Sequence, residues 1–204
     1  AKVFAMSASG REISEDVENA DEIVENISGL VCIRPDFVVV ASPATSHVSH
    51  TIPVLLGGIP VLIEKPVCSG IEDGDILLKQ VALQTTPSAV AYCLRYSPSV
   101  LQVKRFVDEN LIGHIYNISV SVGQFLPDWR PSVDYKSTVS ADKALGGGVL
   151  LELSHEIDYL KWIFGELKLE YALLRNSAEL DLNVEEIADV VFITQDGAVY
   201  NMHL

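Results

Sequence analysis

The sequence predicts an α/β protein: a parallel, doubly wound sheet followed by an α+β region built on an open, mostly antiparallel sheet. Three observations predict it. Apolar β-branched runs alternate with helical periodicities up to about residue 95, and the connections between them are short. Beyond Tyr96 the order changes to helices first and strands clustered towards the end. No internal repeat or low-complexity linker interrupts either pattern.

Lys2 to Met6 reads as a short strand, and "SEDVENADEIVENI" as a helix with Ser14 as N-cap and acids in its first turn. Phe37 to Ala41 in "PDFVVVASPATSH" is an apolar strand ending in a small polar turn. A helix from Ser46 to Leu56 follows, closed by "GG", with Pro53 either kinking it or lying near its first turn. Pro60-Val61-Leu62-Ile63 has the look of a buried parallel strand and runs directly into Glu64, Lys65 and Pro66. A helix around Glu72 to Leu83 and a strand at Ser88 to Cys93 complete the first half. Then come a helix over Ser99 to Asn110, an alternating strand within "HIYNISVSVGQF", and a loop from Leu126 to Ala144 long enough to be functional. "GGGVLLELSHEIDYLKWIFG" is a glycine turn and an amphipathic helix ending at Gly165. Lys168 to Leu204 holds three strands, with "QDG" as a hairpin turn.

A formal net charge of −14, from 28 acidic and 14 basic residues, excludes a nucleic-acid-binding surface, which needs a clustered basic face. The acid-rich stretches read as solvated surface. Hydrophobic residues make up 49% of the chain and mean hydropathy is +0.28, enough for a large core. No apolar run approaches the roughly 20 residues of a membrane-crossing helix. Cys32, Cys68 and Cys93 show no CxxC spacing, which suggests neither a disulfide framework nor a metal site. The opening residues lack a signal-peptide pattern. The expected setting is cytoplasmic, with no membrane partner.

A parallel sheet opens onto its ligand crevice at the carboxyl ends of its strands. Ser42-Pro43 and Glu64-Lys65-Pro66 both stand at such ends and are expected to lie near one another. Placing a lysine there is costly unless something uses it. An amine in a partly desolvated crevice suits general acid–base work. A rim ion pair with Glu64 is the plain alternative, and Glu64 is also a candidate acceptor for a ligand's hydroxyls. Glu152, His155 and Asp158 are spaced three apart and are expected to follow one helix face, where a carboxylate can orient the imidazole. A structural histidine is the alternative; the preceding Gly146-Gly147-Gly148 indicates close backbone approach to something. His47 and His50 begin the helix after the SPATS turn and serve equally as capping or surface residues, His47 lying one turn into the crevice. Trp129-Arg130 in the long loop offers stacking and anion or hydroxyl recognition, or simply packs the loop.

Together, "ASPATSH", "VLIEKPV", "YCLRYSP" and "GGGVLLELSHEIDYLKWIFG" resemble the glucose–fructose oxidoreductase / inositol dehydrogenase (Gfo/Idh/MocA) family, in an order that covers residue 1 to about 170. The resemblance implies a nucleotide-binding Rossmann-type domain over 1–95 and a C-terminal α/β substrate and oligomerisation domain over 96–204. It implies hydride transfer between NAD(P) and a hydroxyl or keto carbon of a sugar, polyol or nucleotide sugar. It makes Lys65 the acid–base residue and His155 its catalytic companion, with Glu152 standing where an aspartate is common. Ser7, Arg11, Ser42, Pro43, His47, Glu64 and Lys65 are then expected at the cofactor, and Arg95, Trp129, Arg130 and Asp158 at the substrate. Ser7 and Arg11 stand where an acidic residue would bind the ribose diol of NAD, so NADP is mildly preferred; Arg11 as an ordinary exposed charge is the alternative.

The loop "FLPDWRPSVDYKSTVSA" resembles relatives associated with surface-sugar biosynthesis, which favours a nucleotide sugar. Family members commonly pair through the open face of the C-terminal sheet, so a homo-oligomer, dimer or tetramer, is expected. The same fold family includes a sugar-responsive regulator, which keeps a non-catalytic binding or scaffold protein as an alternative, and a glycosidase or dehydratase-type reaction is another. Two departures stand out. "ELSH" is one residue shorter than the family's pattern, and no GxGxxG occurs anywhere in the chain. "KVFAMSASGR" resembles the family's second strand, so the first strand and glycine-rich turn are expected to lie outside this chain, as part of a longer polypeptide. "GAVYNMHL" looks like a mid-sheet strand, and dinucleotide binding by these residues alone is expected to be poor.

Overall fold

Every strand described before Ala91 runs parallel to its neighbour. The structure is a computed structural model and describes residues 1–8 and 17–204. The chain divides into two compact units, Ala1–Ala91 and Tyr92–Leu204.

In the first unit β1 (Phe4–Met6) pairs with β2 (Glu22–Val24), while β3 (Val38–Val40), β4 (Val61–Ile63) and β5 (Ser88–Val90) form a second parallel sheet in the order β3-β4-β5. Helices α1 (Ile27–Ile33), α2 (His47–Leu56) and α3 (Ile71–Ala82) alternate with the strands. Val38, Val40, Val61 and Ile63 are buried against Val54, Leu55 and Leu77 of α2 and α3. The intervening Val39 and Leu62 point to the other face and are 48% and 36% exposed. Among the described residues β1 and β3 are not paired with each other. A cleft of about 780 Å3 is lined by both, including Phe4 to Met6 and Val38 to Ser42. Val38 N–H donates to Pro60 O and Glu64 N–H to Val40 O, both at 2.9 Å, so the peptide groups of Val39 turn away from β4, towards the cleft.

The expected helix over "SEDVENADEIVENI" is corrected. Ser14 lies outside the described residues, and Glu22-Ile23-Val24 is a strand, in register with Phe4-Ala5-Met6. Adjacent β-branched residues beside a free strand edge outweigh the helical spacing of the acids. The helix starts only after Asn26, whose side chain accepts from Gly29 N–H at 2.9 Å.

The second unit carries α4 (Pro98–Asp108), β6 (Asn117–Ser121), the single turn α5 (Leu126–Trp129), α6 (Val149–Glu152), α7 (Ser154–Phe164), β7 (Leu167–Arg175), β8 (Ile187–Thr194) and β9 (Val199–His203). The sheet order is β6-β9-β8-β7, parallel between β6 and β9 and antiparallel elsewhere. Inward residues of the strands, Ala188, Val190, Tyr200 and Met202, bury against Leu160 of α7. On the outer side Tyr171 and Leu173 of β7, opposite Val191 and Asp189, are 53% and 41% exposed. The "QDG" turn closes β8 onto β9 with Gly197 at φ 85, a value glycine adopts without strain. Within the long loop, α5 and three 3₁₀ turns replace the irregular chain expected there. Among the described residues no helix is long and apolar enough to cross a membrane.

Candidate active site

Lys65 owes its position to the way two parallel strands end. The ladder between β3 and β4 closes with Glu64 N–H donating to Val40 O, and Pro66 has no N–H with which to continue it. The chain therefore turns. The Lys65–Pro66 peptide is cis, and Lys65 N–H donates to the Glu64 carboxylate at 3.2 Å. Lys65, Glu64, Ser42 and Pro43 are all half-buried. Ser42 and Pro43 occupy the equivalent turn at the end of β3, and Ser7 follows the end of β1.

Between the two turns lies His47, 1% exposed at the start of α2. Its Nδ1 is 2.8 Å from Pro66 O and its Nε2 is 2.7 Å from Ser42 O, so both ring nitrogens face backbone carbonyls. His50, one turn on, places Nδ1 3.1 Å from Ser42 Oγ. Burial, and then the proximity of His47, push the His50 imidazole below its ordinary range and favour its neutral form. Arg11 lies outside the described residues. The carboxyl ends of β1 and β3, with Ser7, Ser42, Pro43 and Lys65, are where a doubly wound sheet receives a nucleotide. These residues fit part of a dinucleotide site.

In the second unit His155 sits in the first turn of α7. Tyr92 meets it edge-on, with ring centroids 5.5 Å apart at 78°. Three residues along on each element, Arg95 binds Asp158 through two parallel bonds, Nε to Oδ2 at 2.7 Å and Nη2 to Oδ1 at 2.5 Å. Asp158 is 10% exposed, and its hydrogen bonds hold the Arg95 guanidinium firmly protonated. The guanidinium also lies 5.6 Å from the Trp162 ring, with Lys104 at 5.1 Å from the same ring.

The expected single face of Glu152, His155 and Asp158 is corrected: Leu153, at φ −97 and ψ 29, separates α6 from α7, so only His155 and Asp158 share a helix. Glu152 ends α6, where its carboxylate accepts from Ser140 Oγ at 3.0 Å. Ser140 also lines, with Trp129, Arg130 and Tyr135, a pocket of about 10 Å3, the size of one water. The glycine triplet approaches the protein itself. A Cβ on Gly147 would meet Val139 O at 2.4 Å, and one on Gly148 the Glu185 carboxylate at 2.3 Å. Tyr92 and Ser140 are contacts that sequence reasoning missed. Tyr92 was within reach, three residues before Arg95 in "YCLRYSP", whereas nothing local marks Ser140. Among the described residues no group of three or more His, Cys, Asp or Glu side chains is placed to hold a metal ion.

Residues 2–92 match a model described as an oxidoreductase family with an NAD-binding Rossmann fold, and residues 100–204 match a GFO/IDH/MocA C-terminal domain. The scyllo-inositol 2-dehydrogenase (NADP(+)) of Bacillus subtilis is 25% identical over 167 residues, covering 78% of this chain and 43% of the relative. The structure of the WlbA dehydrogenase of Bordetella pertussis, in complex with NADH and UDP-GlcNAcA, superposes with a TM-score of 0.76 at 21% identity, covering 91% of this chain and 57% of that one. For myo-inositol 2-dehydrogenase of Lactobacillus plantarum the TM-score is 0.80 at 18% identity, covering 98% and 60%. The matched stretches span between 31% and 48% of the lengths of the sequence relatives.

Proposed function

We propose that this chain, which belongs to the GFO/IDH/MocA family of oxidoreductases, acts in NAD(P)-dependent hydride transfer to or from a hydroxyl or keto carbon of a sugar, polyol or nucleotide sugar. The observation that carries the reading is Lys65, a lysine set at the carboxyl end of β4 in a turn cross-tied to the end of β3. The nicotinamide, when bound, accepts or returns the hydride. Lys65 takes the proton from the reacting hydroxyl, or returns it to the ketone, so that no charge is left on the substrate oxygen. His155, oriented by the Tyr92 edge, assists that proton movement, and Glu152 holds the end of α6 through Ser140. Arg95 is committed to Asp158, so its contribution to the substrate site is to place α7, while Trp129 and Arg130 offer a stacking face and a cation to the sugar.

A positioned acid–base group contributes about 10²–10⁴-fold. In the intact enzyme Lys65→Ala is expected to lower kcat by that factor with its fold retained by circular dichroism. A variant keeping most of its kcat removes Lys65 from the chemistry, and dinucleotide binding without turnover across sugars, inositols and nucleotide sugars favours a non-catalytic binding protein instead. Ser7 and Arg11 support NADP over NAD. The scyllo-inositol relative is named for NADP(+), whereas the Bordetella structure holds NADH, so kcat/KM for the two cofactors decides. The exposed Tyr171 and Leu173 support pairing through the sheet, and a monomeric mass by light scattering rejects it.

A further inference from the structure

A neutral imidazole has one N–H and one lone pair. His47 offers its two ring nitrogens to two carbonyl oxygens, at 2.7 and 2.8 Å, and a carbonyl only accepts. In either neutral tautomer one of these contacts sets a lone pair against a lone pair at hydrogen-bonding distance. At 1% exposure no solvent is at hand to relieve it. The form that satisfies both oxygens carries a proton on each nitrogen. We propose that His47 is held as an imidazolium whose two N–H groups clamp the Ser42 and Pro66 carbonyls, and that it is a positioning residue for Lys65.

Three further features agree with the clamp. The last rung between β3 and β4 is Glu64 N–H to Val40 O, after which Pro66 denies the ladder a donor. His47 then acts as the next rung, supplied from α2, with Pro66 O and Ser42 O as its two ends. Burying a cation is costly unless it is hydrogen-bonded on every side that can donate, and charge-assisted bonds are about twice as strong as neutral ones. Burial pushes the neighbouring His50 towards its neutral form, which leaves its Nδ1 lone pair to accept from the Ser42 hydroxyl at 3.1 Å. Ser42 is thus gripped at both its carbonyl and its hydroxyl by two histidines in opposite protonation states. Because Pro66 O belongs to the Pro66–Val67 peptide, the unit after the Lys65–Pro66 peptide, the clamp holds the turn from which the amine projects.

The protonation state is independent of any activity; only the link to Lys65 rests on the reading given above. Long-range proton–nitrogen correlation NMR of the intact polypeptide, labelled in histidine and recorded at about pH 7.5, where a solvated histidine is mostly neutral, reads it directly. Two protonated ring nitrogens are expected for His47 and one for His50. A single protonated nitrogen on His47 overturns the proposal. For the positioning role His47→Gln, which has one donor group and cannot span both carbonyls, is expected to lower kcat at least tenfold while the dissociation constant for the dinucleotide changes less than twofold. In a Lys65→Ala background the same change is expected to have no further effect on kcat. An unaltered kcat in folded His47→Gln, or a loss confined to dinucleotide affinity, overturns the positioning role. Should Lys65→Ala itself leave kcat unchanged, the acid–base role of Lys65 fails while the NMR result still decides the clamp.

Discussion

Around Lys65 the chain is tied together through its backbone. Glu64 N–H meets Val40 O, and a histidine reaches two carbonyls. Around His155 it is tied through side chains, an aromatic edge and a bidentate ion pair linking residues 63 apart in sequence. Those ties end on main-chain groups, so apart from His47 they survive many changes of side chain but none that moves the main chain. Side-chain ties depend on the identity of each partner. The two arrangements should therefore respond differently to substitution.

The largest effect is expected where the region around His155 does rely on backbone packing. Gly147 lies just before α6, and a Cβ there would meet three backbone atoms, Val139 O at 2.4 Å, Ser140 O at 2.7 Å and Asp142 N at 2.9 Å. None of them is the end of a flexible side chain. Gly147→Ala should cost about 3 kcal/mol, the upper end of what overpacking costs. Gly123 has nothing within 4 Å, so Gly123→Ala should stay within about 0.5 kcal/mol of the parent. Urea titration of both variants checks this. Equal midpoints would mean that the 139–148 segment yields easily and that the contrast with the Lys65 turn is overstated.

Arg95→Ala comes next. It leaves the Asp158 carboxylate, 10% exposed, without its guanidinium, while the 40% exposure of Arg95 lets water replace part of what is lost. A loss of about 1–2 kcal/mol follows, or roughly 2–8 °C in Tm for a chain of this size. Arg95→Lys should recover only part of it, because an ammonium cannot make the two parallel bonds. Scanning calorimetry of the pair tests the claim, and full recovery by lysine would show that charge alone holds α7 here.

This division explains what was legible in the sequence. The strands ending at Val40 and Ile63 were visible as apolar β-branched runs, and Lys65 as a charge that such a run should not reach. The mostly antiparallel sheet of the second half followed from helices preceding strands and from the "QDG" turn, whereas nothing local marked the parallel pairing of β6 with β9. The break at Leu153 was hidden, because the apolar spacing continues through it. The strand at Glu22-Ile23-Val24 was hidden as well, since acids at helical spacing say nothing about a partner edge at Phe4 to Met6. The Arg95–Asp158 pair and the Ser140–Glu152 bond join residues that no local pattern connects. His47 was noticed as a crevice residue, but its two carbonyl partners come from separate turns that meet only in three dimensions.

The smallest effect sharpens the comparison by setting the Arg95–Asp158 pair beside a similar one at the surface. Asp189 of β8 accepts from His203 Nδ1 at 2.8 Å and is bonded to Arg175 on the other side. These bonds, that of His203 first and that of Arg175 second, hold its carboxyl below the ordinary carboxylate range. A group depressed in the folded state contributes stability that is present above its unfolded value, about 3.9, and lost as pH falls through the folded value. Asp189→Asn should therefore be slightly less stable than the parent at neutral pH, and the difference should close as pH falls through the depressed folded value. It should also shrink on adding salt, since solvent-exposed pairs are screened. The Arg95→Ala difference, measured in parallel by urea midpoints, should persist in salt because Asp158 is only 10% exposed. If both differences fade equally with salt, burial does not distinguish the two pairs, and the tie at His155 is no stronger than an ordinary surface contact.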